Sequence, residues 1–255
     1  MKANLFDLKG KIAIVTGAGT GIGQSLALGL AQAGANIAAM YRTHIDETME
    51  KLSKTGAVSR AYQCDLETAS VEELKELVER IIADFGGLDI LVNNAGTICI
   101  EPAITYPLEY WDSVLKVNLV NTFYLCQAAA SHFITNQVKG KIINIASMLS
   151  FQGGDLVVAY TASKSGLVGI TKTMTNEWAK YGININAIAP GYIVTENTRP
   201  LWENPDENER ILNRIPAGRW GEPEDLIGIT VFLSSDASAY FNGAIIPVDG
   251  GWLAR

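Results

Sequence analysis

Tyr160 and Lys164 stand four residues apart, and Ser147 lies thirteen residues before the tyrosine. On a helix that spacing puts the phenol and the ammonium on one face. A free phenol titrates near pH ~10 and is a poor acid–base group at neutral pH. A positive charge beside it favours the phenolate and moves its pKa toward working pH. Ser147 adds a hydroxyl able to hold the oxygen that gains or loses the proton. The three read as a device for moving a proton on and off an alcohol or carbonyl oxygen. Tyr-x-x-x-Lys pairs also arise on ordinary helix surfaces, so the rest of the chain must supply what such a site needs.

The elements that position these residues alternate along the chain. Apolar runs of strand length lie at 11–16, 35–41, 58–64, 88–94, 141–147, 183–190 and 244–250. Helical patterns lie near 21–33, 44–54, 70–85, 108–136, 159–180 and 223–234. Nearly continuous Ile, Val and Ala in the strands indicate burial on both faces. Strand–helix alternation then predicts an α/β fold, a doubly wound (Rossmann) parallel sheet of about seven strands with right-handed crossovers. No linker, repeat or low-complexity segment interrupts residues 1–255, so a single domain is expected. The longest irregular stretch, 191–208, has the length of a functional loop, and a substrate lid is expected near 191–215.

The first strand runs into TGAGTGIG, Thr16 to Gly23. Gly17, Gly21 and Gly23 allow a tight turn and close backbone approach, and the helix that follows offers unpaired N–H groups to a pyrophosphate. Strand, glycine turn and helix inside one βαβ unit is the context that gives such a loop meaning. Dinucleotide binding is therefore expected here, with Thr20 and Ile22 in the same turn.

This glycine spacing, together with NNAG (Asn93 to Gly96), Asn118, Ser147, Tyr160–Lys164 and Pro190–Gly191, resembles the short-chain dehydrogenase/reductase family. The resemblance covers the whole chain, in order and at the family's spacing. It implies that Ser147, Tyr160, Lys164 and Asn118 form a catalytic tetrad, with Asn118 positioning a water that relays protons from Lys164. It implies that Asp65, with Leu66, contacts the adenine, and that Asn94, Ala95 and Gly96 lie along the cofactor. Lys164 would also hold the ribose beside Tyr160. The backbone after Pro190 and Gly191 would hold the nicotinamide carboxamide, with Ile193 and Thr195 beside the diphosphate.

The choice between NAD and NADP is finely balanced. Folds that prefer NAD usually place an acid after the second strand to bind the ribose 2′-OH. Here Tyr41, Arg42 and Thr43 follow it, and Arg42 can pair with a 2′-phosphate or stack on adenine. These residues lean toward NADP, and the closer resemblance below leans toward NAD.

SMLSFQGG, NEWAKYGININAIAPGY, RIPAGRWG and VDGGWLAR resemble the branch of the family that transfers a hydride at C5 of a sugar acid in uronate catabolism. Such a substrate needs a basic anchor and polar partners near Ser147. Gln152 is a candidate hydroxyl partner. Arg199 and Arg214 are candidate carboxylate ligands, with Arg210 beside them, each of them also readable as a solvated surface arginine. Arg219 reads as structural. Trp202 closes over the ligand or packs between subunits. A 3-oxoacyl-carrier-protein reductase is the rival enzyme, and a cofactor-binding regulator without chemistry is the rival class.

Composition narrows the partners. With 27 acidic against 20 basic residues the net charge is −7, and no Lys/Arg cluster exists, which argues against nucleic acid and anionic membrane. No apolar run reaches the ~18–20 residues of a membrane span, and the start of the chain lacks the pattern of a secretory signal. Three scattered cysteines and two histidines fit neither disulfides nor a metal site. A cytoplasmic enzyme is expected. The resemblance implies a homotetramer, and helices near 108–136 and 159–180 longer than one sheet face requires agree with subunit packing.

Overall fold

Seven apolar segments pair side by side because each has both faces to bury. In the computed structural model, which describes residues 4–255, they form one parallel sheet in the order β3-β2-β1-β4-β5-β6-β7. The strands are β1 Ile12–Thr16, β2 Asn36–Tyr41, β3 Ser59–Gln63, β4 Ile90–Asn93, β5 Lys141–Ile145, β6 Asn184–Pro190 and β7 Ile245–Val248. Central strands β1, β4, β5 and β6 are buried along their whole length. The edges β3 and β7 are partly exposed. Strand order reverses between β1 and β4, and the crevice at the carboxyl ends of such a pair is where open α/β sheets take ligands.

The helices are α1 Gly21–Gln32, α2 Asp46–Ser53, α3 Val71–Phe85, α4 Leu108–Leu115, α5 Asn121–Thr135, α6 Val158–Trp178, α7 Arg199–Trp202, α8 Pro205–Leu212 and α9 Ile227–Ser234. One core sets Leu77, Leu125, Phe133 and Met174 of α3, α5 and α6 against the sheet. The other sets Leu26, Leu30, Leu52 and Leu233 of α1, α2 and α9 against its opposite face. Two separate apolar layers, one per face, are what the unbroken Ile/Val strands require.

Two segments differ from the sequence expectation. The helical pattern over 108–136 is not one helix: a π-helical turn at Lys116–Val120 divides α4 from α5. The extra residue in that turn is of the kind that re-aims a side chain, and the Asn118 side chain is drawn across to the loop after β4. The stretch 191–208 is not irregular either. A 3-10 turn at Glu196–Thr198 leads into α7 and α8. Asn204 caps α8 by accepting from Asp206 and Glu207 N–H, and Pro205 and Asp206 follow as first-turn residues should.

Candidate active site

The catalytic candidates gather at the carboxyl ends of β4, β5 and β6. β5 ends at Ile145, and Ser147, buried, caps the 3-10 turn Met148–Ser150. Its Oγ accepts the Leu149 N–H at 3.1 Å, which leaves its own proton free to donate. Ser150 Oγ donates to the Lys164 carbonyl at 2.7 Å and ties this turn to α6. One turn of α6 brings Lys164 Nζ to 5.6 Å from the centre of the Tyr160 ring. The ammonium is buried and donates to the Ile145 carbonyl at 2.7 Å.

Burial dominates the electrostatics. It pushes the Lys164 ammonium down to about 8. It also raises the Tyr160 phenol, while the neighbouring Ser147 hydroxyl acts in the opposite direction. The expected lowering of the phenol by Lys164 is therefore not found in the protein groups alone. Lys164 hydrogen-bonds a backbone carbonyl rather than the phenol, and its own charge is weakened by the apolar surroundings.

Asn118 is buried and fully engaged. Its Oδ1 accepts Thr97 N–H at 2.8 Å, and its Nδ2 donates to Thr97 O at 2.9 Å and Ser163 Oγ at 3.1 Å. Ser163 Oγ in turn donates to the Tyr160 carbonyl at 2.7 Å. The Asn118 side chain thus braces the catalytic turn of α6 against the loop after β4, and it has no amide hydrogen left for a water. Ser163 was not singled out in the sequence; its place one residue before Lys164 is the only signal there.

The glycine loop is built by backbone contact. Gly17 has φ +65° and Gly21 φ +52°. A Cβ at Gly19 would stand 2.0 Å from the His44 carbonyl oxygen, and one at Gly23 would stand 2.1 Å from that of Gly17. Thr16 and Asn94 lock this loop to β4: Thr16 Oγ1 accepts the N–H groups of Asn94 and Ala95 at 2.9 Å each, and Asn94 Nδ2 donates to the Thr16 carbonyl at 3.0 Å. Helix α1 opens without a side-chain cap and without an acidic residue in its first turn, so its N–H groups face an open anion position. Gly96 lies beside both Asn118 and Lys164: a Cβ there would stand 3.3 Å from Asn118 Oδ1 and 3.6 Å from Lys164 Nζ. These features fit a dinucleotide: an anion-ready helix end, a loop whose Gly19 and Gly23 leave no room for a Cβ, and a buried amine beside the tyrosine.

The remaining candidates line the same crevice. Thr195 Cγ2 stands 3.5 Å from where a Gly21 Cβ would be, so Thr195 faces the loop from across the sheet. Gly191, after Pro190, donates to the Val248 carbonyl at 3.0 Å and approaches Asp249 too closely for any side chain. Ile193 is buried and bridges to Gly221. Asp65 accepts the Glu67 N–H at 2.9 Å, and the carbonyl of buried Leu66 accepts from Asn121 at 2.7 Å. Asn121, which fixes the loop after β3, was missed in the sequence. Arg42 is exposed just past β2, and no carboxylate reaches it among the described residues.

On the substrate side, Gln152 is half-buried and its side chain has no hydrogen-bond partner among the described residues. Residues from 191–215 meet the serine turn in an apolar cluster: Met148 packs with Ile211, Ile215, Trp220 and Trp252, joined by Tyr192 and Trp202. Trp202 Nε1 donates to the Thr195 carbonyl at 3.3 Å, fastening α7 to the crevice edge. The arginines separate. Arg199 is paired with Glu196 and Glu203, and Arg210 with Glu207. Arg219 forks Asp225 at 2.7 and 2.9 Å, the structural role expected of it. Arg214 lies with its guanidinium carbon 4.0 Å over the Trp252 ring. The structure therefore does not bring Arg199 into the site as a free cation. A groove of about 590 Å³ between α5 and α6, lined by Phe123, Ile134, Ile170 and Trp178, contains none of the catalytic candidates. Among the described residues no His/Cys/Asp/Glu cluster could hold a metal, and no helix is long and apolar enough to cross a membrane.

With this geometry in place, comparison with known proteins is direct. A family profile described as Enoyl-(Acyl carrier protein) reductase matches residues 17–253. A 2-dehydro-3-deoxy-D-gluconate 5-dehydrogenase from Escherichia coli (strain K12) is 52% identical over 255 residues, covering all of both chains. The protein of the same name from Bacillus subtilis (strain 168) is 51% identical over 251 residues, 98% of this chain and 97% of that one. A solved structure of a gluconate 5-dehydrogenase from Burkholderia cenocepacia J2315, in complex with NADP and tartrate, superposes with a TM-score of 0.93 at 36% identity, covering 99% of this chain and 98% of that one.

Proposed function

The chain belongs to the short-chain dehydrogenase/reductase family, and we propose that within it the protein is a 2-dehydro-3-deoxy-D-gluconate 5-dehydrogenase. It interconverts 2,5-diketo-3-deoxygluconate and 2-keto-3-deoxygluconate at C5. Full-length identity of 52% to an enzyme of that name carries this reading, on a site whose serine, tyrosine and lysine are held together. A bound nicotinamide dinucleotide supplies or accepts the hydride.

The chain's own residues handle the oxygen. Ser147 donates its free proton to the C5 oxygen and orients it. Tyr160 gives up or takes the proton of that oxygen. Lys164, buried beneath the ring, holds the ribose of the nucleotide. Asn118 and Ser163 fix the turn of α6 on which Tyr160 rides. Gly17, Thr20, Gly21, Ile22 and Gly23 cradle the pyrophosphate opposite Thr195, and Gly191 to Ile193 line the nicotinamide end. Arg42, exposed and unpaired, supports acceptance of the 2′-phosphate of NADP alongside NAD.

The enzyme works in the cytoplasm, in uronate degradation, with residues 1–255 as one catalytic unit. It assembles as a homotetramer, a state that the exposed apolar groove between α5 and α6 supports; elution at monomer mass would overturn it. Gluconate 5-dehydrogenase is the alternative reading, favoured by the Burkholderia cenocepacia structure. A kinetic panel with 2-keto-3-deoxygluconate and gluconate, each with NAD and NADP, separates the two by kcat/KM. Tyr160→Phe should lower kcat by roughly 10²–10⁴ while nucleotide binding persists; retained turnover sinks the proton-transfer role.

A further inference from the structure

The arginines around the lid differ in one respect that bears on the substrate. Arg199, Arg210 and Arg219 each face a carboxylate within salt-bridge distance, whereas Arg214 has none among the described residues. Arg214 is exposed, but it is not a free-swinging surface arginine. Its guanidinium carbon sits 4.0 Å over the Trp252 ring, a contact that holds the group in place without using its N–H donors. Its backbone is gripped as well: Arg255 donates from Nη2 to the Asn213 carbonyl at 2.8 Å and from Nε to the Arg214 carbonyl at 3.2 Å.

The surroundings of Arg214 are rich in donors and poor in acceptors. Trp252 is 3% exposed, and its indole N–H has no acceptor among the described residues. Tyr192 packs edge-on against Trp252 at 4.9 Å and against Trp220 at 5.2 Å. Its phenol is raised by burial, with Arg210 and Arg214 acting against that and Glu207 adding to it. The nearby carboxylates are occupied. Asp249 accepts the N–H groups of Gly251 and Leu253, and Glu207 is paired with Arg210. This corner is also next to the chemistry: Tyr192 follows Gly191, and Met148, in the same cluster, follows Ser147.

We infer that Arg214, laid on Trp252, binds the carboxylate of the sugar acid, and that Arg255 positions it. The inference rests on the reaction proposed above and deepens it. In such a substrate the carboxylate and the reacting carbon lie toward opposite ends of the molecule. Met148 packs in one cluster with Trp252, the ring under Arg214, and directly follows Ser147 in the chain. A planar, pre-oriented guanidinium takes a carboxylate through two parallel hydrogen bonds, which a paired or mobile arginine cannot do without first breaking its own contact. The C-terminal turn, Trp252 to Arg255, then belongs to the substrate site rather than to the scaffold.

The test compares two substrates and four proteins. Wild type, Arg214→Ala, Arg255→Ala and Arg199→Ala are assayed with 2-keto-3-deoxygluconate and with its analogue bearing a primary alcohol at C1. Arg214→Ala should raise KM for the acid about ten- to a hundredfold and leave KM for the neutral analogue and the nucleotide Kd unchanged. Arg255→Ala should raise the acid KM less, with kcat kept, and Arg199→Ala should change neither. Arg214→Lys, which keeps charge but not the planar fork, should recover only part of the loss and guards against a folding defect in the alanine variant. Calorimetric binding of gluconate to the nucleotide-loaded protein keeps the two readings apart. Gluconate binding lost in Arg214→Ala supports the anchor even where turnover of 2-keto-3-deoxygluconate fails. Turnover of the acid with an unchanged KM in Arg214→Ala overturns the anchor and leaves the reaction standing.

Discussion

The two walls of the crevice are made differently. The glycine-loop wall, from β1 to β4, is a construction of main chain: carbonyl oxygens stand about 2 Å from absent Cβ positions, and Asn94 and Thr16 staple one loop to another through backbone groups. The lid wall is a construction of side chains. Met148, Tyr192, Trp220 and Trp252 pack into a small satellite core of their own, and each arginine above it is set by its neighbour. A main-chain wall holds a ligand common to a whole family, because backbone geometry does not change with side-chain identity. A side-chain wall is free to be rewritten for each substrate.

The sharpest way to break that contrast is to hollow out the lid. Trp220 is 8% exposed, packs on Tyr192 and donates from its indole N–H to Asn208 Oδ1 at 2.7 Å. Trp220→Ala should cost about 3–5 kcal/mol of stability, read from urea midpoints. It should raise KM for the sugar acid while leaving the nucleotide Kd where it was. A weakened nucleotide Kd in that variant would mean the walls are coupled. The converse experiment is Gly23→Ala, whose methyl would press on the Gly17 carbonyl. Overpacking of that kind costs about 1–3 kcal/mol, so nucleotide affinity should fall roughly ten- to a hundredfold, with the melting of the lid cluster little changed.

The same contrast explains what could be read without a structure. Gly17, Gly21 and Gly23 were legible because a tight strand–turn–helix leaves a fixed glycine spacing in the sequence, whereas Asn94 and Gly191, whose contacts lie with Thr16 and Asp249 far along the chain, were legible only through the family resemblance. Tyr160 and Lys164 were legible because one helical turn relates them. The arginines were not: whether Arg199 or Arg214 is free depends on Glu196, Glu203 and Trp252, and Trp252 comes from the far end of the chain. Tyr192 was passed over for a similar reason, since its meaning lies in two tryptophans it meets only after folding. The break in the helix at Lys116–Val120 left no sequence signal, because it answers to a contact between Asn118 and Thr97 on another element.

Arg42 sharpens the comparison from the glycine side, since it is a side chain on the main-chain wall. Exposed past β2 with no ion pair among the described residues, it should set the nucleotide without touching the sugar acid. Arg42→Asp should shift the ratio of kcat/KM for NADP over NAD by about tenfold or more toward NAD, by removing a charge-assisted contact to phosphate and supplying an acceptor for the ribose hydroxyl. The KM for the acid should not move; an equal change with both nucleotides would remove Arg42 from the choice.

The smallest effect concerns β5, which carries a buried ammonium at each end. Lys164 reaches the Ile145 carbonyl at the catalytic end. Lys141, 6% exposed at the other, donates to Asn184 Oδ1 at 2.9 Å and Ser238 Oγ at 3.2 Å. Burial holds both near 8, below the ordinary 10.5; at Lys141, Asp236 favours the charge and Lys11 opposes it. A folded value below the unfolded one means that the unfolded chain holds more protons between about pH 8 and 10.5. Each lysine therefore adds stability as pH rises through that window, on the order of 1 kcal/mol per pH unit, and imposes its full burial cost below it. The Cys126 thiol, pushed up to about 12 by burial, works the other way, so the measurement is a difference between proteins. In Lys141→Met the rise of the urea midpoint between pH 8 and 10 should be flatter than in wild type, with the pH profile of kcat unchanged, because nothing at that end of the strand touches substrate. Lys164→Met should flatten the rise too, but should also remove turnover. If Lys141→Met shifts the kcat profile, the two ends of the strand are not independent, and the crevice extends its reach through the sheet itself.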